Sequence, residues 1–191
     1  MEIDAQIETL RELGFQFRNR SEISNVLGIH DWWQYTDPPY LMLMERICAW
    51  AHCKQSRICT NVVSWDYKGL RHTGWFKSLA LELAELSSQS TQFRILQTTD
   101  DERDDVWKME YRITSKLTGS VRREVTTRFP HKYASWSPTF DIANDFTTAT
   151  HCFVNFSKDE PVLCWLSKES VSKLQKILPV PCKPVSELVG P

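Results

Sequence analysis

Glycine is scarce in this chain, and long apolar runs are missing from it. Six glycines occur among the 191 residues, and none of them lies in a GxGxxG or GxxxxGK[ST] frame. Because phosphate-cradling loops need glycines at those spacings, nucleotide-binding sites of the dinucleotide-fold and P-loop types are excluded. No window of about 18 apolar residues occurs either, so no segment has the composition of a membrane-spanning helix.

The opening stretch does not have the pattern of a secretory leader, and the middle of the sequence has no Gly/Pro/Ser-rich linker. The opening stretch MEIDAQIETLRELGF is acidic and amphipathic, whereas a signal peptide is basic and then apolar. We therefore expect a cytoplasmic protein that does not contact a membrane and whose six cysteines stay reduced. Without a Gly/Pro/Ser-rich linker, we expect one domain over residues 1–180 and a flexible, proline-containing tail over residues 181–191.

Tryptophan, in contrast, is abundant, with eight residues in the chain. Because tryptophan is enriched among interface anchors, this excess favours a protein that binds another macromolecule. The formal net charge of −1 provides no long-range attraction to nucleic acid. This total does not decide the class of partner, because local charged patches could still bind nucleic acid or an anionic membrane.

Apolar spacing predicts several helices. Ile3, Ile7, Leu10 and Leu13 recur at intervals of three and four residues before Gly14, which predicts a helix over residues 2–13. Similar patterns predict helices over residues 21–28, 38–52, 73–86 and 138–150, and a last helix that Ser167 caps and that ends before Pro179.

Alternating residues predict the strands. The strongest pattern is WKMEYRI, residues 107–113, which places Lys108, Glu110 and Arg112 on the polar face. Further strands are predicted over residues 58–67, 93–98 and 121–129, and in the short stretches CFVNF and VLCWL. Helices followed by hairpins predict an α+β fold: a single domain with a mainly antiparallel sheet of about five strands and helices packed around it.

The stretch CAWAHCKQSRIC, residues 48–59, raises the question of a metal site. Cys48 and His52 are four residues apart on a predicted helix and share a face, as two ligands would. Cys53 points about a quarter turn away, Cys59 begins a predicted strand, and no second ligand pair has the spacing that completes a tetrahedral site. We expect no metal and no cofactor, with the thiols packed as small apolar groups, although the sequence leaves metal binding by these four residues open.

A thiol-dependent enzyme is a first alternative, because six cysteines and five histidines offer nucleophiles and bases. His151 and Cys152 are adjacent, but on a strand their side chains point to opposite faces. No cysteine lies in a recognisable nucleophile turn. We therefore expect no catalytic residue.

Two stretches are candidates for a partner surface. The acidic TTDDERDD is either a solvated hairpin loop or a patch that steers a basic partner. The aromatic DWWQY either folds over the core or exposes interface anchors. The candidate partner-binding residues are Asp100, Asp101, Glu102, Asp104, Asp105, Trp32, Trp33 and Tyr35.

A nucleic-acid-binding module is a second alternative. The basic residues that suggest it are Arg122, Arg123, Arg128, His131 and Lys132. Such a cluster is more often the polar face of a strand and its loop, and it supports binding only if the side chains share one face. We do not expect nucleic acid to be the partner.

The order of local patterns gives a further indication. The stretches are LRELGFQF, DPPYLMLM, TNVVSWDYKGLRHTGWFKSLALELAEL and CFVNFSKDEPVLCWLSKESVSKLQKI, with an N-x-x-x-[WF]-D core at Asn61, Trp65 and Asp66. Over about two thirds of its length the chain resembles small bacterial immunity-type proteins encoded beside polymorphic toxins of the Rhs and contact-dependent type. The family usually has a more acidic, tryptophan-containing stretch where this chain has WSPTFDIANDF.

The resemblance implies a function. Proteins of this group are cytoplasmic, have no catalytic centre, and bind a cognate toxin domain so as to block its active site or substrate path. We therefore expect a bacterial immunity protein whose partner is a toxin domain, in a toxin-antitoxin type of pair.

Overall fold

The computed structural model describes residues 2–27, 38–52, 54–64, 73–101, 106–115, 119–128, 137–157 and 161–189. Within these residues the helices are α1 (Ile3–Glu12), α2 (Arg20–Leu27), α3 (Leu41–Trp50), α4 (Thr73–Leu86), α5 (Ser137–Asp145) and α6 (Lys168–Ile177). The strands are β1 (Val62–Ser64), β2 (Phe93–Asp101), β3 (Val106–Ser115), β4 (Gly119–Arg128), β5 (His151–Asn155), β6 (Val162–Ser167) and β7 (Lys183–Pro184), and a 3-10 turn spans Val185–Glu187. The predicted α+β class is confirmed.

The strands of the described residues form two antiparallel sheets. One has the order β1-β6-β5-β7 and the other has the order β2-β3-β4. The expectation of one sheet of about five strands therefore needs correction. Alternation identifies a strand but not its neighbours, and β7, with two residues, is too short to carry a pattern.

The chain divides into two compact units. The first contains Met1–Trp65 and Phe153–Pro184, and the second contains Asp66–Cys152 and Val185–Pro191. The four-stranded sheet is built mainly in the first unit and the three-stranded sheet in the second. The single domain over residues 1–180 stays a prediction. In the segment predicted as a tail, β7 pairs with β5, and Val185 is buried.

In the first unit, α1 begins and ends within one residue of the predicted helix. Gly14 follows it with φ of +100°, a conformation that favours glycine, and a Cβ at this position would lie 3.2 Å from Leu166 Cδ2. The helix therefore ends where the sequence predicts. The backbone conformation at Gly14 favours glycine, and a side chain there would crowd Leu166.

The side chain of Asn61 forms hydrogen bonds with the backbone of the segment that follows α1. Its Oδ1 accepts a 2.8 Å hydrogen bond from the backbone N–H of Gln16, and its Nδ2 donates a 2.8 Å hydrogen bond to the carbonyl of Gly14. Only 4% of the residue is exposed. In this chain, Asn61 of the N-x-x-x-[WF]-D stretch therefore has a structural role.

Aromatic rings pack against each other at the hairpin of β5 and β6 in the first unit. The rings of Phe153 and Trp165 lie 4.8 Å apart, and those of Phe15 and Phe156 lie 5.6 Å apart. The predicted helix cap after β6 is confirmed, because Ser167 Oγ accepts a 3.0 Å hydrogen bond from the N–H of Ser170.

In the second unit, one face of the three-stranded sheet contributes to a buried core. Phe93 on β2 packs its ring 5.4 Å from Tyr111 on β3 and 5.3 Å from Phe146, which follows α5. Gln89 donates a 2.7 Å hydrogen bond to the carbonyl of Phe146. Leu79 and Leu83 of α4 are also fully buried. This face holds Met109, Tyr111 and Ile113 of β3.

Several predicted boundaries shift. The second strand continues through Asp101, whereas the prediction ended it at residue 98. The fifth helix ends at Asp145 and not near residue 150, and β1 is shorter than the predicted strand of residues 58–67. Because strand pairing overrides weak local preferences, polar residues at the end of β2 extend the hairpin. No helix in the described part of the chain is long and apolar enough to cross a bilayer.

Candidate partner-binding face

The aromatic and acidic candidates lie almost entirely outside the described residues. Trp32, Trp33, Tyr35, Glu102, Asp104 and Asp105 are outside them. Asp100 and Asp101 end β2, opposite Trp107 and Val106 of β3. Partner binding by these residues therefore stays a prediction.

Three cysteines of the first unit, Cys48, Cys59 and Cys164, are poor nucleophiles. Burial, with a smaller effect of nearby Glu45, raises the pKa of Cys48 from its usual 9.0 to about 12. Burial also raises the pKa values of Cys59 and Cys164 well above the usual range. Since the thiolate is the reactive form, these thiols react slowly at neutral pH.

The structure describes three of the four residues that the sequence raises as possible metal ligands. Cys48 is half-buried near the end of α3, Cys59 is buried, and His52 is exposed, while Cys53 lies outside the described residues. Across the described ranges, no group of three or more His, Cys, Asp or Glu side chains is arranged to hold a metal ion.

A different charged surface emerges on the three-stranded sheet. Because side chains alternate across a strand, β3 buries Met109, Tyr111 and Ile113 on one face and leaves Lys108 and Arg112 exposed on the other. We call the second face, away from Tyr111, the outer face. The strands on both sides add their polar residues to it through the pairing register.

Three arginines lie side by side on the outer face. Arg112 of β3 is directly opposite Arg94 of β2 and directly opposite Arg122 of β4. All three are exposed, and the side chain of Arg122 retains 65% of its accessible surface. We call these residues the arginine row. Like charges directly opposite each other destabilise a sheet, so the fold keeps this row against a local cost.

Carboxylates lie next to the row. Glu110 and Glu124 are opposite each other, two residues along their strands from Arg112 and Arg122. Glu110 forms an ion pair with Arg122 Nε, diagonally across the two strands. Within the described residues, Arg94 and Arg112 take part in no ion pair. Two guanidinium groups of the row therefore remain available to an external anion.

Arg123 lies on the opposite face from the row. It is directly opposite Tyr111, and its Nε is 3.4 Å from Asp145 Oδ2, which also accepts a 2.7 Å hydrogen bond from the Tyr111 hydroxyl. The basic patch suggested by the sequence is thereby divided, since Arg122 and Arg123 face opposite ways. His131 and Lys132 lie outside the described residues.

Sequence reasoning missed the arginine row because its members come from three strands. Arg112 was placed on the polar face of its strand, and Arg122 in a basic patch, but the partnership with Arg94 depends on register. The bulge between Ile95 and Gln97 shifts the β2 register by one residue along the strand. Only the pairing shows that Arg94 precedes this shift and aligns with Arg112.

The outer face is suited to binding. An arginine presents a planar set of donors that matches a carboxylate or a phosphate, and it stays charged at all physiological pH values. Its described positions carry guanidinium, ammonium, carboxylate, amide and hydroxyl groups, and no histidine or cysteine. The face therefore offers anion recognition through its arginines.

No protein-family model, curated protein or solved structure matches this chain.

Proposed function

We propose that this protein is an immunity-type protein that binds and neutralises a cognate bacterial toxin domain without catalysis. The local patterns around Asn61 and in the last strands and helix resemble such proteins. The observation that carries the proposal is the exposed outer face, where Arg94 and Arg112 have no ion pair within the described residues. Charges kept in mutual repulsion are best explained by a partner that neutralises them.

The buried thiols disfavour the enzyme alternative. Cys59 and Cys164 are each at most 1% exposed, and burial keeps the pKa values of both well above the usual range. A nucleophilic thiol needs a lowered pKa and access to substrate. A protein-binding function fits these residues better than catalysis, because it requires only that the thiols pack in the core.

The mixed charge of the outer face disfavours a nucleic-acid partner. Glu110 and Glu124 lie beside the arginine row, where they would repel phosphates. The described outer side chains include no aromatic ring on which a base could stack. Alternating acidic and basic groups fit a protein surface with the complementary arrangement.

The sheet also provides a second charged region. Asp100 lies six residues along β2 from Arg94, a distance of roughly 20 Å on an extended strand. Asp100 and the arginine row therefore attract opposite charges at separate positions along the strand. Two such attractions would orient a toxin domain as well as hold it.

Co-expression with the toxin-like domain encoded beside this gene tests the proposal. We expect the protein to restore growth and to form a stable complex with the toxin domain on size-exclusion chromatography. A toxin domain from an unrelated pair serves as the control and should be neither bound nor neutralised. Unrestored growth together with separate elution of the two proteins would contradict the proposal.

A further inference from the structure

We propose that the arginine row, Arg94, Arg112 and Arg122, is the docking site for an acidic helix of the partner, with carboxylates three or four residues apart along one helix face. This inference rests on the proposed function, since it takes the partner to be a protein. It adds the outer face of the three-stranded sheet to the acidic and aromatic stretches that the sequence suggests as the interface.

The spacing of the row selects the secondary structure of the partner. Neighbouring strands lie about 4.8 Å apart, so three arginines in register span about 10 Å across the sheet. In a helix, residues at i, i+4 and i+7 lie on one face and span about 10.5 Å along the axis. In an extended strand, three successive same-face residues span about 13 Å, which is longer than the row.

The existing ion pair defines which arginines are free to accept the helix. Glu110 already engages Arg122, whereas Arg94 and Arg112 have no ion pair among the described residues. Two carboxylates of the helix can bind these two guanidinium groups. A third can share Arg122 with Glu110.

The neighbouring carboxylates add a requirement on the partner. Glu110 and Glu124 lie two residues along the strands from the row, at a distance of about 7 Å. A helix that lies along the row presents its adjacent stripe to these carboxylates. The partner helix should therefore carry a lysine or arginine beside its acidic stripe, which distinguishes it from a polyanion such as nucleic acid.

Two alanine-rich helical peptides provide the test. One has three glutamates at i, i+4 and i+7 and a lysine beside them, and the other has the same composition with the glutamates spread around the helix. Fluorescence anisotropy with the full chain should show that the first peptide binds about tenfold more tightly. Equal binding of the two peptides, or no binding of either, would overturn the inference.

Variants then assign the binding to the row. The triple variant R94T/R112T/R122T should lose about tenfold in affinity for the first peptide, with an unchanged circular dichroism spectrum. K108T removes one charge from the same face, between Thr99 and Thr126, and should change affinity by less than about twofold. The inference fails if the two variants bind alike, or if a single-stranded oligothymidine binds through the row more tightly than the peptide.

The toxin domain separates the two proposals. If the wild-type protein and the triple variant bind the toxin domain equally, the helix-docking inference is wrong and the proposed function stands. If the wild-type protein binds the peptide through the row but does not bind or neutralise the toxin domain, the proposed function is wrong. Weakened toxin binding by R94T/R112T/R122T alone supports both.

Discussion

The Tyr111 hydroxyl donates a 2.7 Å hydrogen bond to Asp145 Oδ2, which connects the middle of β3 to the last residue of α5. Arg123 approaches the same carboxylate oxygen to 3.4 Å. Burial, followed by the nearby charge of Asp145, raises the pKa of Tyr111 well above its usual range. The cluster keeps an acidic residue at a helix C-terminus, where the helix dipole alone would disfavour it.

Replacing Tyr111 by phenylalanine tests this connection. We expect Y111F to lower the free energy of unfolding by about 1–2 kcal/mol, because a hydrogen bond to a charged group is lost while Arg123 still neutralises Asp145. Urea denaturation monitored by tryptophan fluorescence measures the change. The control is T99V, which removes an exposed hydroxyl from β2; equal stability of Y111F and T99V would show that the hydrogen bond contributes nothing.

The middle arginine of the row should be replaceable with a gain in stability. R112T removes two like-charge pairs, with Arg94 and with Arg122, and introduces a β-branched residue that suits a strand. We expect the free energy of unfolding to rise by up to about 1 kcal/mol. K108T on the same strand has neutral neighbours and isolates the contribution of the threonine. A stability gain no larger for R112T than for K108T would argue against repulsion in the row.

A stabilising variant that binds less well would indicate a functional role for the row. We expect R112T to weaken the toxin complex, measured by isothermal titration calorimetry, and R112K to recover only part of the affinity. Lysine keeps the charge but lacks the planar pair of donors. Full recovery by R112K would mean that charge alone matters.

The free energy of unfolding should depend on the hydrogen bonds of the Asn61 side chain. N61A leaves the N–H of Gln16 and the carbonyl of Gly14 without their side-chain partner, and we expect a loss of about 1–3 kcal/mol in the free energy of unfolding. Mutation of the exposed neighbour, T60A, removes the longer contacts of Thr60 Oγ1 with the carbonyl and the Oε1 of Gln16, at 3.2 and 3.4 Å, and should cost less. A larger loss of unfolding free energy for T60A than for N61A would contradict the structural role of the Asn61 side chain.

The N61D variant adds a pH dependence with a defined sign. At neutral pH the introduced carboxylate faces the Gly14 carbonyl, which Asn61 now contacts through Nδ2. A protonated carboxyl can donate to that carbonyl, so folding should favour the protonated form and raise its pKa. The stability deficit relative to wild type should therefore shrink as the pH falls from neutral to about 4, the usual pKa of an aspartate in the unfolded chain, and should change no further below it. A deficit that is constant from pH 7 to about 4 would contradict this geometry.

The raised pKa values of the Cys48, Cys59 and Cys164 thiols predict slow chemical modification. With the pKa of Cys48 raised to about 12, only about one thiol in ten thousand is ionised at pH 8. We expect iodoacetamide to label Cys48, Cys59 and Cys164 far more slowly in the folded protein than in denaturant, as read by peptide mass spectrometry. Rapid labelling of one of them in the folded protein would reopen the enzyme alternative.

The same groups predict a loss of stability in alkali. Their thiols ionise near pH 9 when the chain unfolds but stay protonated in the folded state, so the folded state binds more protons. The free energy of unfolding should therefore fall as the pH rises above about 9. The variant C48A should show a shallower decline between about pH 9 and 12 than the wild-type protein.

The sequence by itself determined the local elements of this protein. Periodicity in α1, alternation in β3 and the serine that caps α6 each depend on backbone geometry within a few residues, and the structure confirms all three. The α+β class follows from the order of such elements. The ends of β2 and α5 were harder to predict, because pairing and packing by distant residues decide where marginal segments stop.

Only the tertiary structure decided how the strands combine. The division into two sheets, the hydrogen bond from Tyr111 to Asp145, and the alignment of Arg94 with Arg112 join residues that are far apart in sequence. Alternation assigns each arginine to a face of its own strand, but pairing register selects its neighbours, and the buried face fixes that register because a slip of one residue would turn the core outward. The candidate site is therefore a property of the register, which no local pattern in the sequence contains.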